Sequence, residues 1–239
     1  MPHAGEFART DAPLAEYGHD AEQMPLGTPP ATADESEPFS GTTSEVTEGP
    51  LVEKWLRVRQ AIDEERAVLV LCRTSPALCP SVAAFEFLSM IERAQMRDGL
   101  ARVGEINRAI NLAIRPAEDV ETSGAEDEWS SPLATLSRHT GDCEDYAIAK
   151  FVALTEAGME AKDLRLVILR HEVSQEDHAV MLVRIGNGWR VLDNRGFAMR
   201  DASQYGRFRP LFSIGANGVR SYDQLPLMSA VQSRPAGGV

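Results

Sequence analysis

The stretch Gly141-Asp142-Cys143-Glu144-Asp145-Tyr146 decides how this 239-residue chain is read. A single cysteine stands there among three carboxylates, directly ahead of residues 147–157, which read as a helix. A thiolate is the nucleophilic form of cysteine, and the oriented N–H groups at a helix start lower a thiol pKa. Cys143 therefore sits where a catalytic cysteine is placed. The carboxylates argue the other way, because negative charges around a thiol should raise its pKa. Either Cys143 is inert, or a cation neutralises Asp142, Glu144 and Asp145. Carboxylate oxygens suit a hard cation, calcium first. Carboxylates in the first turn of a helix are also ordinary capping residues, and that reading stays open beside the metal one.

Downstream, Gly158 is a suitable residue to end the Cys143 helix. Three strand-like runs follow, at residues 164–170, 178–185 and 189–193, and Gly186-Asn187-Gly188 between the last two is a hairpin signal. Residues 209–214 offer a further edge strand. Upstream, helical spacing of apolar residues runs through 51–71 and 82–96, the second with Ser81 as N-cap, and through 100–114, ended by Pro116. Residues 117–140 read as irregular. In them Trp129 is a core anchor or, less simply, a substrate platform. Asn107 and Asn111, four apart on the third helix, either hold nearby loops or line a cleft. Helices first and antiparallel strands after define an α+β fold, with the Cys143 helix packed on an antiparallel sheet.

A cysteine nucleophile needs a base, and the base needs an orienting group. Of the five histidines, His178 opens a strand whose hairpin partner ends at Asp193. With Gly186-Asn187 as the two-residue turn, Ile185 pairs with Gly188 and Val180 with Asp193. His178 then lies two residues further on, on the same face of the pleat as Asp193, a diagonal separation of about 7–8 Å at the backbone. A register shifted by one residue would put the two on opposite faces. Taken singly, His178 is a strand-end histidine and Asp193 a turn-capping residue. Together with Cys143 they form a candidate Cys-His-Asp triad.

The net charge of -12 makes nucleic acid and anionic membrane poor partners, and 43% hydrophobic residues are enough for a core. The charge is concentrated in residues 1–50, which read as a disordered acidic segment; residues 51–223 are the folded domain and 224–239 a flexible tail. No run of about 18 apolar residues is present, so no membrane insertion is expected. No signal peptide is visible at Met1. Cys72 and Cys79, seven apart in a stretch broken by two prolines, suit a disulfide and hence an oxidising compartment, which is at odds with the missing signal. Cys143 is then left unpaired. Zinc is not expected, because no CxxC pair exists and no histidine lies near Cys72 and Cys79.

Gly141-Asp142-Cys143-Glu144-Asp145-Tyr146-Ala147, Asp177-His178-Ala179-Val180 and Leu192-Asp193-Asn194 together resemble the bacterial transglutaminase-like cysteine proteinase family, over about residues 55–222. The resemblance implies a papain-like, transglutaminase-like core, with Cys143 as nucleophile, His178 as general base and acid, and Asp193 as the residue orienting the imidazole. It implies calcium as cofactor, held by Asp142 and Glu144, with Asp145 a weaker match. It implies a periplasmic endopeptidase acting on a protein substrate, in the best-known members a large cell-surface adhesin, under control of an inner-membrane receptor responding to cyclic-di-GMP. Acyl transfer or amide hydrolysis by the same triad, and a calcium-binding interaction module with a degenerate triad, are the alternatives.

Overall fold

A computed structural model describes residues 37–117 and 128–223. The first helices form where the apolar spacing places them. α1 (Pro50–Thr74) starts with proline in its first turn, where the missing N–H costs nothing. α2 (Val82–Gln95) is capped by Ser81, whose hydroxyl accepts from the Ala84 N–H at 3.1 Å. α3 (Gly99–Ala113) follows. Cys72 and Cys79 are disulfide-bonded, closing the end of α1 onto the turn before α2. A short strand, β2 (Arg115–Pro116), leaves α3.

The segment expected to be irregular holds a helix, α4 (Pro132–Arg138). Its signal lies outside its own sequence: Glu65 of α1 accepts from the backbone N–H groups of Leu133 and Ala134 at 3.0 and 3.1 Å, and from the Ser131 hydroxyl. A carboxylate on a neighbouring helix thus does the capping that local residues usually do. Trp129, just ahead of α4, is buried in the core, so it is an anchor.

α5 (Cys143–Glu156) is buried on nearly all sides and packs against α2, α3, α4 and the sheet. It ends at Gly158, with φ 91°. The Gly158 N–H reaches Thr155 O and the Met159 N–H reaches Leu154 O, each at 3.0 Å, the paired bonds of a Schellman motif.

The remaining strands are β1 (Thr43–Val46), β3 (Thr140–Gly141), β4 (Leu164–His171), β5 (Asp177–Ile185), β6 (Gly188–Leu192), β7 (Arg200–Asp201), β8 (Phe208–Gly215) and β9 (Gly218–Tyr222). Seven of them make one antiparallel sheet in the order β1-β9-β8-β4-β5-β6-β7. The hairpin register is the expected one, Ile185 opposite Gly188 and Met181 opposite Leu192. Side chains alternate between two cores. Leu164, Leu166, Ala179, Met181, Val183 and Leu192 face the helices. Val167, Leu169, Val180, Leu182 and Val191 face a second cluster with Tyr205 and Tyr222.

Two expectations are corrected. Residues 209–214 are not an edge, because β8 lies between β4 and β9. The turn signal Asn217-Gly218, with Gly218 at φ 104°, launches the extra strand. Residues 37–50 are not disordered: β1 pairs with β9, and the buried Glu37 binds Arg165 at 3.1 Å and Tyr222 at 3.3 Å. Composition marks a segment as polar; it does not reveal a buried cation elsewhere that needs a carboxylate. The expectations for residues 1–36 and 224–239 fall outside the described residues.

Candidate active site

The chain enters α5 through a narrow passage. β3 pairs in parallel with β2, Thr140 opposite Arg115, which fixes the approach to Cys143 against the end of α3. A Cβ on Gly141 would lie 2.8 Å from the Asp145 Cβ and 3.0 Å from the Thr135 methyl, so only glycine admits this packing. Asp142 is the N-cap, accepting from the Asp145 N–H at 3.2 Å. Cys143 is consequently the first residue of the helix and the free thiol of the chain.

β5 runs on beyond the last residue it shares with β6, and His178 and Ala179 lie in this overhang. The Ala179 N–H donates to the Cys143 sulfur at 3.3 Å. His178 is buried, its Nε2 is 2.9 Å from Asp193 Oδ1, and its ring lies 6.4 Å from that of Phe208. Asp193 follows directly on β6. With Nε2 committed to Asp193, Nδ1 is the ring nitrogen left over. The sequence-derived residues Cys143, His178 and Asp193 are brought to one end of the sheet.

Burial pushes the Cys143 thiol well above its ordinary pKa; the Glu144 and Asp142 carboxylates push the same way, and the Ala179 N–H opposes them. The thiol donates to Glu144 Oε2 at 2.9 Å, so the charge conflict visible in the sequence is a direct contact in the structure. Burial also pushes the Asp193 carboxyl up, but His178, the Arg195 N–H and the Tyr205 hydroxyl outweigh it and hold Asp193 well below the usual carboxylate range.

The three carboxylates do not act as one group. Asp142 and Glu144 flank the sulfur. Asp145 turns inward, buried, where Oδ1 accepts from the Ser130 N–H at 2.8 Å and Oδ2 pairs with Arg138 at 3.4 Å. Among the described residues no three metal-ligating side chains converge. Calcium takes about six to eight oxygens. As arranged, Asp142, Glu144 and Asp145 do not fit a calcium cage, because Arg138 already neutralises the third.

Behind the site stand Tyr205 and Lys150, which went unread in the sequence, and Asn107 and Asn111, expected from the sequence to hold a loop or line a cleft. Tyr205 donates to Asp193 Oδ2 at 2.9 Å. Asn111 Nδ2 donates to the main-chain oxygens of Asp193 and Gly196, each at 2.9 Å, and Asn107 Nδ2 to Phe197 O at 3.1 Å. The two asparagines thus hold a loop, and the loop is the one carrying Asp193. Lys150, fully buried, donates to Leu192 O at 3.2 Å. It lies two turns below Cys143 on the same helical face, and a lysine in the otherwise apolar run 147–154 was the available signal.

A cysteine heading a buried helix, followed in the chain by antiparallel strands, is the architecture of the transglutaminase-like cysteine hydrolases. The chain belongs to the bacterial transglutaminase-like cysteine proteinase family (BTLCP), whose family model matches residues 62–206. It is therefore a cysteine peptidase with a protein substrate. Among solved structures, Legionella pneumophila LapG is similar with TM-score 0.54 and 20% identity, over 65% of this chain and 86% of that one. Calcium-bound Legionella pneumophila LapG gives 0.54 and 19%, over 68% and 91%. The EGTA-treated form gives 0.54 and 20%, over 65% and 84%. At these identities the likeness concerns the fold. Among curated proteins no match is found. No helix among the described residues is long and apolar enough to cross a membrane.

Proposed function

We propose that this chain is an endopeptidase working through Cys143, His178 and Asp193. What supports the reading is the Cys143 sulfur held 3.3 Å from the Ala179 N–H, with the preceding residue on β5, His178, bound through its imidazole to Asp193 at 2.9 Å. His178 Nδ1 takes the thiol proton once Glu144 releases it, and the sulfur attacks the peptide carbonyl carbon. The oxyanion faces the Cys143 N–H, which as the first helical N–H has no partner inside the helix. Nδ1 returns the proton to the leaving amine, the C–N bond breaks, and a thioester remains. Water then gives a proton to Nδ1 and its oxygen to the thioester carbon, the C–S bond breaks, and the thiol is restored.

The resemblance stated above supports a large cell-surface adhesin as substrate, the periplasm as location and an inner-membrane cyclic-di-GMP-responsive receptor as partner; the Cys72–Cys79 disulfide is consistent with an oxidising compartment. Calcium belongs to this reading as an ion that Asp142 and Glu144 would hold with oxygens from outside the trio, and for Asp145 to join them its pair with Arg138 must open. No catalytic step is routed through the ion. A calcium titration followed by calorimetry should show binding that weakens in Asp142→Ala; an unchanged isotherm would remove Asp142 from the ligand set.

The contact between Cys143 and Glu144 favours a second reading, a calcium-binding module that does not turn over. Comparison of surface and secreted proteins from cells carrying the wild-type chain, Cys143→Ala or His178→Ala separates the two. Peptidase action predicts one large protein that shortens only with the wild type; identical protein lengths in all three would leave the module.

A further inference from the structure

The chain carries a net charge of -12, yet the cavity beside the proposed triad has the opposite character. That cavity, about 650 Å³, is lined by Asp193, Tyr205 and Phe208 together with Arg195, Arg200 and Arg207. Its connection to the chemistry is direct: Asp193 binds the His178 imidazole, and Phe208 packs against the same ring.

The arginines are the unusual feature. Those of β4, β5 and β6 each hold a carboxylate: Arg165 with Glu37, Arg170 with Asp177, Arg184 with Asp163, Arg190 with Asp201. Among the described residues, Arg195, Arg200 and Arg207 form no ion pair. The one carboxylate in the lining, Asp193, does not balance them. Oδ1 is taken by His178 and the Arg195 N–H, and Oδ2 by Tyr205. Arg195 and Arg200 are both close enough to the Tyr205 hydroxyl to act on it electrostatically. Guanidinium groups are well matched to carboxylates by their planar, forked donors.

We infer that this cavity is a substrate subsite for acidic side chains, so that the enzyme prefers peptide segments bearing aspartate or glutamate next to the scissile bond. The inference rests on the endopeptidase reading for the word substrate, and on the cavity alone for the binding. Cations placed there select among peptides and speed their encounter, while the chemistry stays with Cys143 and His178.

Binding to the full chain carrying Cys143→Ala tests the subsite independently of turnover. The probes are a fluorescein-labelled peptide rich in aspartate and glutamate and its asparagine/glutamine counterpart, followed by anisotropy. The acidic peptide should bind at least about fivefold more tightly, from exposed charge pairs of ordinary strength. The preference should shrink in Arg200→Gln/Arg207→Gln and fade as salt is raised, because the sites are solvent-accessible. These arginines are exposed and unpaired, so the double variant keeps its fold. Equal binding of the two peptides, or a preference that survives the double substitution, would overturn the subsite. Digestion of a peptide library by the wild-type chain reads the endopeptidase separately: no cleavage counts against the peptidase reading, and the anisotropy result still decides the cavity.

Discussion

Lys150 Nζ lies 3.2 Å from the main-chain oxygen of Leu192. This single bond ties the helix that begins at Cys143 to the strand that ends one residue before Asp193. It does so from the interior, since Lys150 is buried and sits 5.8 Å from the centre of the Tyr146 ring.

Burial lowers the Lys150 pKa to about 7, against an upward pull from Asp193. The folded state then releases a proton that the unfolded chain holds until about 10.5. Between these values the unfolded state binds more protons, so stability rises with pH from about 7 upward, by about 1 kcal/mol per unit. Urea midpoints at pH 7, 8 and 9 should climb in the wild type and stay level in Lys150→Met. The same substitution should lower kcat by about tenfold without destabilising the fold at pH 7, because the relieved desolvation outweighs the lost hydrogen bond of about 1 kcal/mol.

Asp193 is held ionised by His178, the Arg195 N–H and Tyr205 against the effect of burial. A carboxyl lowered on folding contributes stability above its ordinary range, and that contribution disappears as pH falls through its folded value. Tyr205→Phe removes one of the holding bonds. Its acid-unfolding midpoint should move to higher pH, with a loss of about 1 kcal/mol at neutral pH and a severalfold fall in kcat/KM. A midpoint unchanged in circular dichroism would mean that Tyr205 does not support Asp193.

Glu37→Ala leaves the Arg165 guanidinium buried without its carboxylate. Breaking a buried pair from one side costs about 3 kcal/mol or more. Denaturant unfolding should show a loss of that size. A change below about 0.5 kcal/mol would return residues 37–50 to the status of a dispensable tail.

The parts of the site that could be read from the chain are those governed by local rules. Hairpin register follows from Gly186-Asn187, so the meeting of His178 with Asp193 follows by counting, and the head of α5 follows from Asp142 and the apolar run after it. The parts that could not be read depend on partners far away in sequence. Nothing near Pro132 shows that Glu65 will cap α4, and nothing near Glu37 shows that Arg165 awaits it. Asp145 is the instructive case. Beside Cys143 it looks equivalent to Asp142 and Glu144, but helical rotation turns it inward onto Ser130 and Arg138, away from the sulfur's other carboxylates.

The central claim is that His178 serves the Cys143 sulfur, and alkylation of that sulfur measures it most directly. Cys72 and Cys79 are locked in a disulfide, so iodoacetamide under non-reducing conditions reports Cys143 alone. The rate at pH 8, read by intact mass, should fall at least about tenfold in His178→Ala and rise in Glu144→Gln, where the carboxylate that holds the thiol is gone. An identical rate in the wild type and His178→Ala would contradict the account.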